Sequence, residues 1–398
     1  MTSFPGGNAV DMVSTLLNRP MPVLVVSTLL AFVLTPIVIR GAHKLGWLAY
    51  PRSDRWHSRV VSLMGGLGIV GTILLVSLAA GALRTSPVGV PLLVGMVMLA
   101  VLGGVDDRGG VNPLPKLVIE LAAAAGIIAA GVRFAPSLPE FLSIPLTVVW
   151  IIGVTNAMNL LDNMDGLAAG TGVVIGGTIG ALSVVTGDTV TSLLALSLTG
   201  ACLGYLPFNY RRARVFMGDT GSLPLGFVVA TLALIAGQRA ADATSSAMWG
   251  FMLPLLLCAL PLVDTTLVTI SRMRTGRAIS QGGRDHASHR LVYTGLSDTA
   301  AVLTLHASAL VVALCAMIGT LAPESGAILA VAGTIASVAT LTWLLRIDPY
   351  ASPASVAVVP AVAIAHIQPS VVRNADTVLV QEPVENLPRR AVLVRRAN

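Results

Sequence analysis

The apolar residues of this chain fall in long blocks rather than in one-sided helical stripes. Pro22–Arg40, Leu63–Leu83, Val88–Val105, Ile144–Leu161 and Met248–Ile270 each approach or exceed the roughly 20 residues that carry a helix across hydrocarbon. In that solvent every backbone polar group must be satisfied internally, so the blocks are expected to be helices. The pattern predicts an all-α, polytopic membrane helix bundle of about eleven transmembrane helices. They lie near residues 21–41, 62–83, 88–105, 115–132, 144–161, 166–186, 189–207, 221–238, 247–271, 299–320 and 325–346. This divides the chain into a short extracytoplasmic N-terminus over 1–20, a transmembrane catalytic domain over 21–346 and a cytoplasmic C-terminal tail over 347–398. The tail changes character, with Pro353, Pro360, Pro369, Pro383 and Pro388 interrupting short valine-rich runs.

Charge then orients the bundle. The first, third, seventh and ninth connections carry Lys44, Arg52, Arg55 and Arg59; Arg108; Arg211, Arg212 and Arg214; and Arg272, Arg274, Arg277, Arg284 and Arg290. The second, fourth and eighth carry only Arg84, Arg133 and Arg239. The positive-inside rule places the basic connections in the cytoplasm, with the N-terminus outside and the C-terminus inside. Composition agrees: 55% of residues are hydrophobic and 11% charged, against about 25% charged in soluble domains. Mean hydropathy is +0.82. A net charge of +6 would suggest nucleic acid in a soluble protein. Its concentration in alternate connections points to a membrane instead, and no nucleic-acid partner is expected. Cys202, Cys258 and Cys315 sit in apolar blocks without paired spacing and read as small buried hydrophobes. No cleavable leader pattern precedes the first span, so it is expected to be retained.

Polar residues with chemical capacity gather in four places, all on the same predicted membrane face. Asp106 and Asp107 close the third span, and Lys116 opens the next. Adjacent carboxylates at a membrane boundary are costly unless paired, solvated or bound to a cation, although an interfacial cap with a salt bridge would also account for them. Asn159, Asp162 and Asp165 lie three apart, on one face if helical, where a span meets the cytoplasm. Such a row of hard oxygens suits Mg²⁺, with Mn²⁺ as the substitute; the plain alternative is a capped polar helix end. In the third place, Asn209 precedes Arg211, Arg212 and Arg214, and Asp219 stands between glycines just before a span. Glycines admit close backbone approach and a helix N-terminus favours phosphate, whereas most of those arginines read as topogenic. The fourth holds His286, His289 and Arg290, a set able to grip a diphosphate through charge-assisted hydrogen bonds. Together they describe a Mg²⁺-assisted phosphate site. A secondary transporter would be equally apolar, but its carboxylates belong near the bilayer midplane rather than at span ends.

Four motifs in this order, an Asp-Asp closing a span, Asn-x-x-Asp-x-x-Asp-Gly (159–166), Phe-Met-Gly-Asp-x-Gly-Ser (216–222) and a histidine loop, resemble the polyprenyl-phosphate N-acetylhexosamine-1-phosphate transferases. The segment Pro51–His57 leading to Met64-Gly65-Gly66 is similar to that family's first cytoplasmic loop, and the resemblance spans about residues 20–346. It implies a multi-pass enzyme of the bacterial inner membrane with its active site on the cytoplasmic face. The reaction implied moves a sugar-1-phosphate from a UDP-N-acetyl sugar to undecaprenyl or decaprenyl phosphate, releasing UMP, with homodimerisation compatible. Carried over by motif, Asp219 binds Mg²⁺ with the substrate diphosphate, and Asp106 is the candidate base, supported by Asp107. Asn159, Asp162 and Asp165 line the nucleotide and metal region, with Asp162 also a metal ligand. Lys116, Asn209, His286, His289 and Arg290 contact nucleotide, sugar or phosphates. The histidine loop departs from the family where Ser288 replaces a further His, and Glu120 stands where an amide is frequent. This loop form resembles the branch that uses UDP-GlcNAc rather than the MurNAc-pentapeptide enzymes.

Overall fold

The computed structural model describes residues 19–50, 59–81, 86–279 and 282–350. Most of the N-terminal segment, the loop motif Pro51–His57 and the tail beyond residue 350 lie outside the described residues. Thirteen helices appear among them. They are α1 Pro20–Leu45, α2 Gly66–Ala79, α3 Gly89–Gly109, α4 Pro113–Ala129, α5 Glu140–Leu161, α6 Leu167–Thr186, α7 Thr189–Asn209, α8 Asp219–Thr244, α9 Ala247–Leu257, α10 Ala259–Arg274, α11 Ala287–Tyr293, α12 Asp298–Leu321 and α13 Pro323–Leu344. Starts follow local chemistry: proline opens α1 and α4, where its missing N–H is no loss, while Asp188 and Ser297 cap α7 and α12 through their side chains.

A helix or a helix pair falls within each expected block, and this is a polytopic, helical membrane protein. Eight helices are long and apolar enough to cross a membrane, or nine if the bent pair α9–α10 counts as one. α2, with 14 residues, and α4, with 17, fall short of that length. The span expected over 247–271 is broken at Cys258, where α9 and α10 meet at 68°. Proline explains the break. Pro254 lies within α9, and Pro261 removes an N–H in the first turn of α10, so one continuous helix cannot run through both.

α8 is the hub: 94% of its apolar window is buried, against 22% for α1 and 17% for α13 at the periphery. α1 crosses α7 through Gly200 and Gly204, where an added Cβ would lie 2.5 Å from the Leu24 carbonyl oxygen and 2.2 Å from that of Thr28. Small residues permit this approach where lipid gives apolar side chains no reason to associate. Beyond the helices, Leu48–Ala49 (β1) and Val61–Ser62 (β2) form a short antiparallel pair. Ser62 also bridges to Val215, and the Gly65 and Gly66 N–H groups donate to the Phe216 and Met217 carbonyls, tying the α1–α2 connection to the segment that leads into α8.

Candidate active site

The N-terminus of α8 begins at Asp219, after Gly218 with φ +68°. An added Cβ on Gly218 would lie 2.5 Å from an Asp107 carboxylate oxygen, so glycine is what lets that carboxylate close on the helix end. Asp107 Oδ1 accepts the Asp219 N–H at 2.9 Å, and Oδ2 accepts the Thr220 N–H at 3.1 Å and hydroxyl at 2.7 Å. Asp107 therefore caps α8 from a neighbouring helix. Gly103, one turn earlier on α3, brings the backbones together: its Cβ would sit 2.2 Å from the Asp219 carbonyl.

This packing sets four charged or amide side chains around one point. Lys116 Nζ lies 3.3 Å from Asp106 Oδ2 and 3.4 Å from Asp219 Oδ2. The Asp106 and Asp219 carboxylates are within hydrogen-bonding reach of each other. Asp106 Oδ1 accepts the Val111 N–H at 2.6 Å. From α5, the Asn159 amide donates to Asp219 Oδ1 and to the Ser222 hydroxyl, both at 2.8 Å. One turn further along α4 and one turn back along α5, Asn156 donates to Glu120 at 2.9 Å. Glu120 thus meets an amide on α5 instead of pairing with Lys116.

The cluster opens onto a cavity of about 840 Å³ at the end of the bundle where the connections between α5 and α6, and between α7 and α8, meet. Asp107, Asn159, Asp162, Asp165, Asn209, Asp219, His286 and His289 line it, so eight of the expected residues share one wall system; Lys116 and Asp106 join them through Asp219. Asn209 contributes mainly as a brace: its Oδ1 accepts the Gly166 N–H at 2.9 Å and its amide donates to the Val215 carbonyl at 2.9 Å. Asp165 is similarly engaged, accepting the Ala213 N–H at 2.8 Å, and burial raises its carboxyl above the usual range.

The histidine loop is built differently from expectation. Arg290 is 1% exposed and donates to the Asp285 carbonyl, the Ser271 hydroxyl, and the Leu344 and Ile347 carbonyls. It faces the end of α13 rather than the cavity, which corrects its expected phosphate contact. Arg272 grips Asp285 with two bonds of 2.8 and 2.9 Å, completing a buried anchor for the loop. His286 Nδ1 lies 2.8 Å from Asp264 Oδ2, and Asp264 Oδ1 accepts the Ala287 N–H at 2.7 Å. This bond fixes the orientation of the His286 ring at the cavity wall. Burial, and then the neighbouring His286, lower His289 to about 3. Burial therefore holds His289 toward its neutral form in this structure. Ser288, the departure in the motif, donates to Asn163 Oδ1 at 2.8 Å.

The sequence reading missed Asp264, Asp285, Arg272 and Asn163. Asp264 had a signal, because a lone carboxylate inside an apolar block is expensive and implies a partner. Asp219 and Asp162 offer hard carboxylate oxygens at the cavity wall, the kind of donor that suits Mg²⁺, which commonly takes one or two carboxylates and completes its shell with water and substrate phosphate; the Asp219 oxygens are held here by Asn159 and Lys116. Among the described residues no three or more His, Cys, Asp or Glu gather as a metal cage.

Residues 90–237 match the model of glycosyl transferase family 4. The chain is 34% identical over 291 residues to a probable undecaprenyl-phosphate N-acetylglucosaminyl 1-phosphate transferase of Bacillus subtilis (strain 168), covering 71% of this chain and 80% of the relative. It is 32% identical to the decaprenyl-phosphate N-acetylglucosaminephosphotransferase of Mycobacterium tuberculosis (strain ATCC 25618 / H37Rv), covering 78% and 86%. Similarity to the phospho-N-acetylmuramoyl-pentapeptide-transferase of Shouchella clausii (strain KSM-K16) is 34% over 54% of this chain and 74% of that one.

Proposed function

Because the chain belongs to glycosyl transferase family 4, among the polyprenyl-phosphate N-acetylhexosamine-1-phosphate transferases, we propose that it transfers N-acetylglucosamine-1-phosphate from UDP-GlcNAc to undecaprenyl or decaprenyl phosphate. The product is the first lipid-linked intermediate of a cell-envelope glycan, and UMP leaves. Names of relatives that cover most of both chains support the GlcNAc branch. The observation that carries the chemistry is the Asp106–Lys116–Asp219–Asn159 cluster on the wall of a cavity large enough for a nucleotide sugar.

An oxygen of the lipid phosphate attacks the sugar-bearing phosphorus, and the bond from that phosphorus to the UMP oxygen breaks. Asp106 accepts the proton of the acceptor phosphate when it arrives protonated. Lys116, held between two carboxylates, balances their charge and that of the incoming phosphates. Mg²⁺ held by Asp219 and Asp162 would neutralise diphosphate charge and orient the leaving group. Asn159 fixes the Asp219 rotamer, Asp107 fixes the backbone beneath it, and Asp264 turns His286 Nε2 outward from their shared bond. A phosphate clamped this way needs positioning more than a second nucleophile, which favours direct attack. The site end faces the cytoplasm in this reading, with eleven spans, α9 and α10 counted as one, entering or crossing the bilayer.

The test is UMP release by purified protein in detergent with Mg²⁺ and undecaprenyl phosphate. UDP-GlcNAc should give UMP and a lipid-linked sugar, UDP-MurNAc-pentapeptide should not, and Asp219→Asn should abolish turnover while still inserting in the membrane. UMP from the pentapeptide substrate alone would reverse the choice of sugar, and full activity of Asp219→Asn would remove Asp219 from the reaction.

A further inference from the structure

Two consecutive residues between α7 and α8, Arg211 and Arg212, have φ of +49° and +71°. The left-handed region is unfavourable for any residue with a Cβ, and glycine or asparagine stands there when only backbone shape is at stake. Arginine twice in succession therefore asks what the side chains do. Both line the cavity that holds Asp219, and both are exposed to water.

The strained turn is held from several sides. The Asp165 carboxylate accepts the Ala213 N–H at 2.8 Å and a backbone bond from Arg212. Asn209 ties Gly166 on one side to Val215 on the other, and the Arg214 N–H donates to the Phe208 carbonyl at 2.9 Å. Strain that persists because its surroundings over-determine it is concentrated at ligand clamps and active sites. Here the surroundings include two polar side chains, Asp165 and Asn209, that bond backbone within and beside the turn.

We infer that Arg211 and Arg212 form a clamp for the diphosphate of the nucleotide donor, and that Asp165 is the positioning residue that holds their turn. The inference rests on the proposed reaction for its ligand. Guanidinium groups are suited to phosphate by their planar, multiple donors. A water-exposed lip is where a soluble nucleotide sugar arrives, whereas the lipid phosphate must approach with its tail still in hydrocarbon. On this account Asp165 touches neither nucleotide nor metal, and acts through the turn.

The deciding variant is R211G/R212G, because glycine adopts the same turn without strain and removes both charges. Its KM for UDP-GlcNAc should rise about 10- to 100-fold, the range expected for lost charge-assisted hydrogen bonds. Its kcat and its KM for undecaprenyl phosphate should stay near wild type, and R211K/R212K should recover part of the loss. Asp165→Ala should reproduce the KM rise in full-length protein and add little in the R211G/R212G background. A merely structural role would instead lower Tm and move both KM values. Calorimetry with UDP and with uridine separates the clamp from the reaction: the variant should lose affinity for UDP and not for uridine. Unchanged UDP affinity, or a rise confined to the KM for undecaprenyl phosphate, overturns the clamp. Wild-type protein that binds UDP through these arginines but never releases UMP from UDP-GlcNAc overturns the proposed reaction and leaves the clamp standing.

Discussion

Asp106 and Asp107 are neighbours in sequence with separate work. Asp107 spends both oxygens on the start of α8, whereas Asp106 faces Lys116 and Asp219. Asp107→Ala should leave two backbone N–H groups and a hydroxyl without their acceptor, destabilising the protein by about 1–3 kcal/mol. Asp106→Asn keeps its shape and one acceptor oxygen, so Tm should hold while kcat falls and UDP-GlcNAc affinity stays close to wild type. Thermal unfolding in detergent beside steady-state kinetics checks the pair. Equal Tm losses in both variants would mean that the two carboxylates are structural alike. The identity of these residues was legible in the chain, since paired acids at a span end have no cheap explanation. Their division of labour was not, because Asp107 meets partners 112 and 113 positions away and hydrophobic periodicity carries no information about such pairings. Arg290 fails in the same way: sequence shows a cation beside two histidines, and only the fold shows that its guanidinium is spent on the carbonyls of α13 and its C-terminal extension.

At the scale of elements, the geometry of the proposed site rests on how closely α3 approaches α8. Gly103 meets Asp219 and Thr220 backbone atoms, which cannot swing aside as a side-chain end would. Gly103→Ala places a methyl 2.2 Å from the Asp219 carbonyl and should force the helices apart. Overpacking of this kind costs about 1–3 kcal/mol, and displacement of Asp106 from Asp219 should reduce turnover by about 10-fold or more, since misplacement by roughly 1 Å can cost a hundredfold. Wild-type Tm and turnover in Gly103→Ala would show that this crossing does not set the site. The eleven apolar blocks announced the helices, because burial in lipid needs only length and hydropathy. The break at Cys258 was legible in principle from Pro254 and Pro261, yet a block reading smooths over two prolines seven residues apart. The β1–β2 pair was invisible, being two residues long on each strand and fixed by the segment that precedes α8.

At the scale of the whole molecule, every polar cluster collects at one end. The C-terminal ends of α3 and α5 meet the N-terminal ends of α4 and α8 through Asp107, Lys116 and Asn159, and Asn163 links the α5–α6 connection to α11. Arg59, Arg108, Arg211, Arg212, Arg214, Arg274 and Arg284 belong to that end as well, together with the buried Arg272 and Arg290. At the other end, Arg133 pairs with Glu140 at 2.6 Å and Arg239 with Asp188 at 3.2 Å. Positive charge retained on one side and matched by acids on the other should hold the basic end in the cytoplasm, where nucleotide sugars are made. Single cysteines test this in a background lacking Cys202, Cys258 and Cys315. A membrane-impermeant maleimide added to intact cells should label Ser137→Cys, in the connection between α4 and α5, and should reach Arg274→Cys only after lysis. The opposite pattern would put the cavity outside the cell, away from any supply of UDP-sugar. The same cluster of carboxylates and cations would then need a phosphorylated substrate that reaches it from the far side of the membrane.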